Sequence, residues 1–239
     1  MGDEPKELSL LGGFLFSVSG DALLGISAGS QRLLAFLAVR DRLLTRTQVA
    51  GTLWPESTDD HAGASLRSAV SRLDGPARQA VTVTASDLGL AEGLVVDVHR
   101  SQSLARRLID RDAPRSDVDI GAGAVSALSH DLLPGWYDDW AVIAAEDWRQ
   151  LRLHALEAVA ARLTAADRLA EAAAAALAAV RAEPLRESAQ AALIRVQMAE
   201  GNQSAARGQF ERYRVLLQAE LGVEPTSRLK SLLEELGPP

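Results

Sequence analysis

The side chains best suited to chemistry in this chain lie between Asp59 and Leu73, DDHAGASLRSAVSRL. At 100° per residue, Leu66, Ala69, Val70 and Leu73 fall on one side of a helix. His61, Ala64, Ser68 and Ser71 point the other way, with Arg67 and Arg72 on the two flanks. Small side chains let such a face lie close against another surface, and the guanidinium groups supply charge-assisted donors. An apolar back, a small polar front and two arginines suit the major groove of DNA. They equally suit an ordinary solvent-facing helix, so the surroundings have to decide.

Chemistry of other kinds finds little support. There are no cysteines, which excludes disulfides, thiolate nucleophiles and cysteine-based zinc sites. The four histidines, His61, His99, His130 and His154, form no HxxxH or HxH pair. No GxxxxGK[ST] phosphate loop, GxSxG elbow or HExxH helix occurs. The acidic pairs Asp138-Asp139 and Glu146-Asp147 stand beside aromatic residues without a partner histidine, and read as a helix start or a solvated face. The expectation is a protein that is not an enzyme, with no cofactor and no metal.

With 239 residues, 47% of them hydrophobic, the chain can bury a proper core in one large domain or two medium ones. The N-terminus, MGDEPKELSLL, is acidic and has no secretory pattern, and the apolar runs are too short to span a bilayer. A cytoplasmic protein with no membrane partner is expected. Net charge is −7, which argues against a general nucleic-acid coat but not against a reader with a local basic patch. Arginine outnumbers lysine 23 to 2, and with the abundant alanine this suggests a GC-rich bacterial genome.

The elements around the opening stretch come next. Leu8–Val18 holds strand formers broken by Gly12-Gly13, and Ala22–Ile26 reads as a further short strand. Ser30 is positioned to cap a helix over Gln31–Val39. Leu43-Leu44 follows as a brief strand. Thr45 and Gln48 fit a capping box opening a helix over Arg46–Trp54 that stops at Pro55. After Leu73, Asp74-Gly75-Pro76 breaks the helix. Ala80–Ala85 alternates at the strand period, and Leu88, Leu90, Leu94 and Val96 form a second arm beyond a Ser86-Asp87 turn. The order is strands, helix, short strand, helix, helix, hairpin: a winged helix whose third helix reads DNA and whose hairpin is the wing.

The segments QRLLAFLAVRDRLLTRTQVAGTLWPE, ASLRSAVSRL and VVDVHR resemble the OmpR-type DNA-binding domain of bacterial activators. Beyond a helix from Val98 to Asp110 and a polar loop at Asp112–Asp119, LLPGWYDDW, LRLHALEAVAARL and the tail AELGVEPTSRLKSLLEEL are similar to the bacterial transcriptional activator domain. Helices are expected at Ala141–Leu163, Ala166–Ala182, Arg186–Glu200, Gln203–Leu221 and Ser227–Leu236. Leu151–Pro184 and Leu185–Pro225 read as two tetratricopeptide-like units. Trp136, Tyr137, Trp140 and Trp148 read as a hydrophobic seam between the two domains rather than a ligand cage. The whole is similar to the Streptomyces antibiotic regulatory protein family. That resemblance implies an α+β winged helix-turn-helix over residues 1–98, followed by an all-α, tetratricopeptide-like activator domain over 99–239.

The resemblance also implies a function. The helix Asp59–Leu73 would enter the major groove, with Arg67 and Arg72 on guanine edges or phosphates. Ser65, Ser68 and Ser71 would donate with little specificity, and His61 and the amides at the helix start would meet phosphates. Arg46 and Arg42 match basic family positions facing the duplex backbone or the polymerase. The implied partners are double-stranded DNA, RNA polymerase through its sigma factor and other subunits, and a second protomer on direct repeats near a −35 element. The implied role is control of a secondary-metabolite gene cluster. Three features depart from the family: Asp74-Gly75 replaces further arginines, Ser86-Asp87 occupies the wing tip, and residues 1–100 carry nine basic against twelve acidic side chains. These departures keep open a second reading, a helical scaffold with weakened or lost DNA binding.

Overall fold

A computed structural model describes residues 4–110, 112 and 116–234. Its contacts divide the chain into two compact units, Met1–Arg100 with Asp131–Trp148, and Ser101–His130 with Arg149–Pro239. The first unit therefore takes back a segment that lies more than thirty positions further along the chain.

In the first unit, β1 (Lys6–Ser9), β2 (Leu15–Val18) and β3 (Asp21–Ala22) form antiparallel neighbours. Helix α1 (Ala28–Arg40) follows, then β4 (Leu44–Thr45), α2 (Arg46–Leu53) and α3 (Asp59–Ser71). A short α4 (Gly75–Gln79), β5 (Val81–Val83), β6 (Asp87–Leu90) and β7 (Val95–Val96) lead into α5 (Asp97–Ile109). The strands make two sheets, in the order β3-β2-β1-β7 and β4-β6-β5. Helix pair, wing sheet and N-terminal sheet together are the winged helix-turn-helix read from the sequence.

Several local readings change. Helix α1 is capped by Ser27, whose hydroxyl accepts from the Ser30 amide, so it begins before Gln31. Ser30 is instead fully buried and donates its hydroxyl to the Ala69 carbonyl of α3 at 2.8 Å. Of Ala22–Ile26 only Ala22 lies in a strand, the short β3 it forms with Asp21. Asp74-Gly75-Pro76 does not merely break the chain. It starts α4, because proline is favoured in a first turn, where its missing N–H has no partner to lose. The second arm of the hairpin ends at Leu90, and Val95–Val96 leaves the wing to pair in parallel with β1. Asp97 anchors this switch, its carboxylate accepting from the amides of Leu10, Leu11 and Val98. Burial pushes that carboxyl above its ordinary value, and the three amide bonds and His99 oppose the rise.

The returning segment completes the core of this unit. Leu11 bridges to Leu132, the Leu133 amide donates to Leu10, and Leu132, Leu133 and Trp140 are buried. Trp136 stacks on Phe14, and Trp140 meets Phe36 edge-on at 5.3 Å. The expected seam thus includes packing within the first unit. Tyr137 takes no part in it, being 87% exposed.

The second unit is helical. A 3-10 turn (Asp117–Ile120) and α6 (Ala122–Leu128) precede α7 (Asp139–Ala165), α8 (Leu169–Ala182), α9 (Glu187–Ala199), α10 (Gln203–Leu221) and α11 (Ser227–Glu234). The expected loop at Asp112–Asp119 falls partly, and the last two residues of the final expected helix wholly, outside the described residues. Ala172, Ala175, Ala176 and Ala179 are fully buried on α8, so the alanine run is the surface that lets helices approach closely. Helices α8, α9 and α10 pack in succession, as tetratricopeptide-like arrays do. Ile194, Phe210, Tyr213 and Leu217 join Leu229 and Leu232 of α11 in one apolar cluster. Buried Gln209 donates to buried Gln190 at 2.7 Å, so these two amides of α9 and α10 satisfy each other. Gly222 ends α10 at φ +68°, a conformation that costs glycine little. Among the described residues no helix is long and apolar enough to cross a membrane.

Candidate nucleic-acid interface

Helices α2 and α3 carry every site residue expected from the sequence except Arg72, which caps the end of α3, and Arg42, which lies in the loop before β4. Helix α2 starts where it does because Thr45 and Gln48 close a capping box, each bond 3.2 Å long. The same Thr45 belongs to β4, paired with Asp87 of β6, so the start of α2 is fixed to the wing. Arg46 strengthens the tie: its amide donates to the Ser86 carbonyl at 2.9 Å and its guanidinium to that of Thr84 at 3.4 Å. The wing turn closes on itself, the Thr84 amide donating to the Asp87 carbonyl and the Asp87 amide to the Thr84 hydroxyl. Gly89 in β6 leaves room for Leu43, since a Cβ there would stand 2.8 Å from the Leu43 Cδ2.

Helix α3 sits against α1 and α2 through Ala62, Leu66 and Ala69, with Leu73 buried just beyond its end. Ala62 extends the apolar back that the sequence placed at Leu66 and Ala69, whereas Val70 is only half-buried. His61, Ala64, Arg67, Ser71 and Arg72 are exposed, and Ser65 and Ser68 are half-buried. The Ser71 hydroxyl donates to the Ser68 carbonyl, which leaves its oxygen free only to accept. Arg67 lies back over Gly63, where a Cβ would stand 3.5 Å from its Nη1. Arg46 and Arg67 line one cleft of about 160 Å³ between α2 and α3. Arg42 and Arg72 do not line it, although both are exposed.

Two acidic residues alter the electrostatics expected at the start of α3. Asp59 and Asp60 occupy its first turn, both exposed, and Asp59 lines the cleft shared by Arg46 and Arg67. Carboxylates there interact favourably with the positive end of the helix dipole and repel a phosphate approaching the same amides. The acidic residues stand in plain sight in DDHAGASL; reading the helix by its arginines alone passes over them. Arg78 of α4 is a further exposed cation near this face in sequence, donating to the Val81 carbonyl at 3.0 Å. Pro76 was the signal that could have revealed its helix. Among the described residues no group of three histidines, aspartates or glutamates is placed to hold a metal.

Comparison with known proteins agrees with this architecture. The chain is similar in structure to EmbR of Mycobacterium tuberculosis, solved in complex with a low-affinity phosphopeptide, at a TM-score of 0.67 and 21% identity. The similarity covers 98% of this chain and 65% of that one, so this chain spans about two thirds of the EmbR chain and the likeness is one of fold. No curated protein sequence matches. Residues 96–236 match the family profile of the bacterial transcriptional activator domain, more than half of the length, and the chain belongs to that family.

Proposed function

We propose that the protein is a sequence-specific DNA-binding transcriptional activator of the Streptomyces antibiotic regulatory protein type, with an OmpR-type winged helix. In this reading two protomers sit on direct repeats near a −35 element, α3 enters the major groove, and the helical unit contacts RNA polymerase, including its sigma factor. The regulated genes form a secondary-metabolite cluster. The observation that carries the reading is the outward face of α3, small and bearing Arg67 and Arg72, on a helix pair whose start is tied to the wing through Arg46. Membership of an activator family supports the same direction.

The charge arrangement shapes the binding. Arg42, Arg67 and Arg72 are exposed, while Arg46 already serves the Thr84 carbonyl, so a protomer offers three or four phosphate contacts. At about −0.9 per neutralised phosphate, the slope of log K against log salt should be near −3 to −4 for one protomer. A second protomer or the polymerase raises the effective affinity. Asp59, Asp60 and the wing-tip Asp87 favour a second reading, a helical scaffold in which DNA binding has weakened. A mobility-shift titration on the upstream regions of neighbouring genes, at low and moderate salt, separates the two. Arg67→Ala should cost about 1–3 kcal/mol if the side chain reads a base. Equal binding by that variant and the parent would reject the assigned face, and no shift at low salt even with polymerase present would leave the scaffold reading.

A further inference from the structure

A second cleft in the first unit shares Gly51 with the cleft lined by Arg67 but is built from other side chains. It encloses about 600 Å³ between the turn joining α2 to α3 and the returning segment that opens α7. A volume of this size suits a small organic ligand. Trp54 of the turn and Tyr137 and Trp140 of the returning segment line it. Arg32 also lines it, donating to the Leu53 carbonyl at 2.8 Å and pairing with Asp138. Its charge is therefore spent on Asp138.

Two further carboxylates in the cleft, Glu56 on the turn and Asp139 at the start of α7, have no ion-pair partner among the described residues. Both are exposed. Tyr137, an aromatic ring 87% exposed on one rim, has no packing role that would account for its position. Aromatic faces attract cations through their quadrupole, and adjacent carboxylates add to that attraction.

The geometry points to a binding site for a small organic cation: an ammonium or guanidinium group carried on a flat apolar body. The cation meets Glu56 and Asp139, and the body lies between Trp54 and Tyr137. Such a ligand touches both the turn that leads into α3 and the segment that opens α7, so its occupancy restrains the turn. The site stands whether or not the chain binds DNA, because none of its residues belongs to the proposed reading face.

The test is equilibrium binding to the full chain by calorimetry and tryptophan fluorescence. The probes are phenethylamine, benzyltrimethylammonium and phenylguanidine, with 2-phenylethanol as the neutral counterpart of the first. Saturable binding of at least one cation is expected in the range of about 0.1–1 mM. The Glu56→Gln/Asp139→Asn double variant should bind roughly tenfold more weakly, and so should Tyr137→Ala. Both variants alter exposed side chains, and unchanged unfolding curves will show that the fold is intact. Absence of saturation up to about 10 mM for every cation overturns the proposal. Equal binding by the double variant or of 2-phenylethanol does so too. Binding of a lysine- or arginine-rich peptide with none of the small cations would assign the cleft to a protein partner and also overturn it.

Discussion

Ser30 holds the proposed reading helix in place; replacing it by alanine removes its bond to α3 and a 2.8 Å contact with the Ser27 hydroxyl. Its hydroxyl is fully buried and donates to the Ala69 carbonyl near the end of α3. The last carbonyls of a helix lack intrahelical donors. Here the Leu73 amide, which would continue the ladder to Ala69, turns to Val70 instead. Ser30→Ala therefore leaves a buried acceptor unmet, at about 1–3 kcal/mol. Alanine's better helix propensity returns up to about 0.5 kcal/mol within α1. The net expectation is a loss of about 1–2.5 kcal/mol. All four tryptophans, Trp54, Trp136, Trp140 and Trp148, belong to the first unit, so tryptophan fluorescence reports its unfolding while far-ultraviolet circular dichroism is weighted to the helical unit. In urea, the fluorescence midpoint should fall by roughly 0.5–1 M at a typical denaturant slope. A fluorescence transition unchanged within about 0.5 kcal/mol would refute the argument that this bond holds α3.

A fragment ending at Arg100 loses Leu132, Leu133 and Trp140, each buried in the first unit, at about 1.5–3 kcal/mol apiece. That sum approaches the whole stability of a small domain, so the fragment should show no cooperative melting by circular dichroism. A sharp transition like that of the full chain would show that the return segment is dispensable. Asp97→Asn turns an amide N–H₂ toward one of the backbone donors at Leu10 and Leu11, and should cost about 1–3 kcal/mol in urea unfolding at neutral pH. Because burial holds the Asp97 carboxyl above its ordinary value of 3.8 in the folded chain, its buried charge is a cost above the folded pKa that is relieved as pH falls toward 3.8. The parent should therefore gain stability on the variant over that window, and parallel pH profiles would count against a buried, strained carboxylate. The lowered pKa of Asp119, held down by Arg107, has the opposite sign: its contribution is present above 3.8 and lost as pH falls through the folded value, a loss that Asp119→Asn should abolish in circular-dichroism unfolding. Replacing Asp59 and Asp60 together by asparagine should tighten DNA binding severalfold at low salt and much less at high salt. Unchanged mobility-shift affinity would place the start of α3 away from phosphate.

Local chemistry was legible in the residues themselves. The Thr45–Gln48 capping box, the extent of α2 and α3, and the span Gln203–Leu221 for α10 follow from short-range rules: side chain to nearby amide, apolar spacing, glycine at a helix end. The outward placement of Arg67 and Arg72 followed from the same periodicity. The readings at Ser30 and Val95–Val96 were overturned at long range. Ser30 looked like a cap, yet a carbonyl thirty-nine positions away claims its hydroxyl. Val95–Val96 has the alternation of a hairpin arm, yet it pairs with β1 because Asp97 can satisfy the amides at the end of that strand.

The tertiary structure alone also brought Asp131–Trp148 onto the first hundred residues, and so made the cleft at Trp54 and Tyr137. Periodicity states which face of an element is apolar but not which distant surface covers it. That choice depends on shape and on which buried polar groups find partners, neither of which is written in local spacing. By itself the sequence determined most of the helices, the capping box of α2 and the residues on the outer face of α3. Only the folded chain decided that Arg46 is tied to the wing, that Asp59 shares a cleft with Arg67, and that the return segment belongs to the winged-helix core. The physical reason is the same in each case: a backbone group or apolar face left over by local structure must be satisfied by whatever the fold brings beside it.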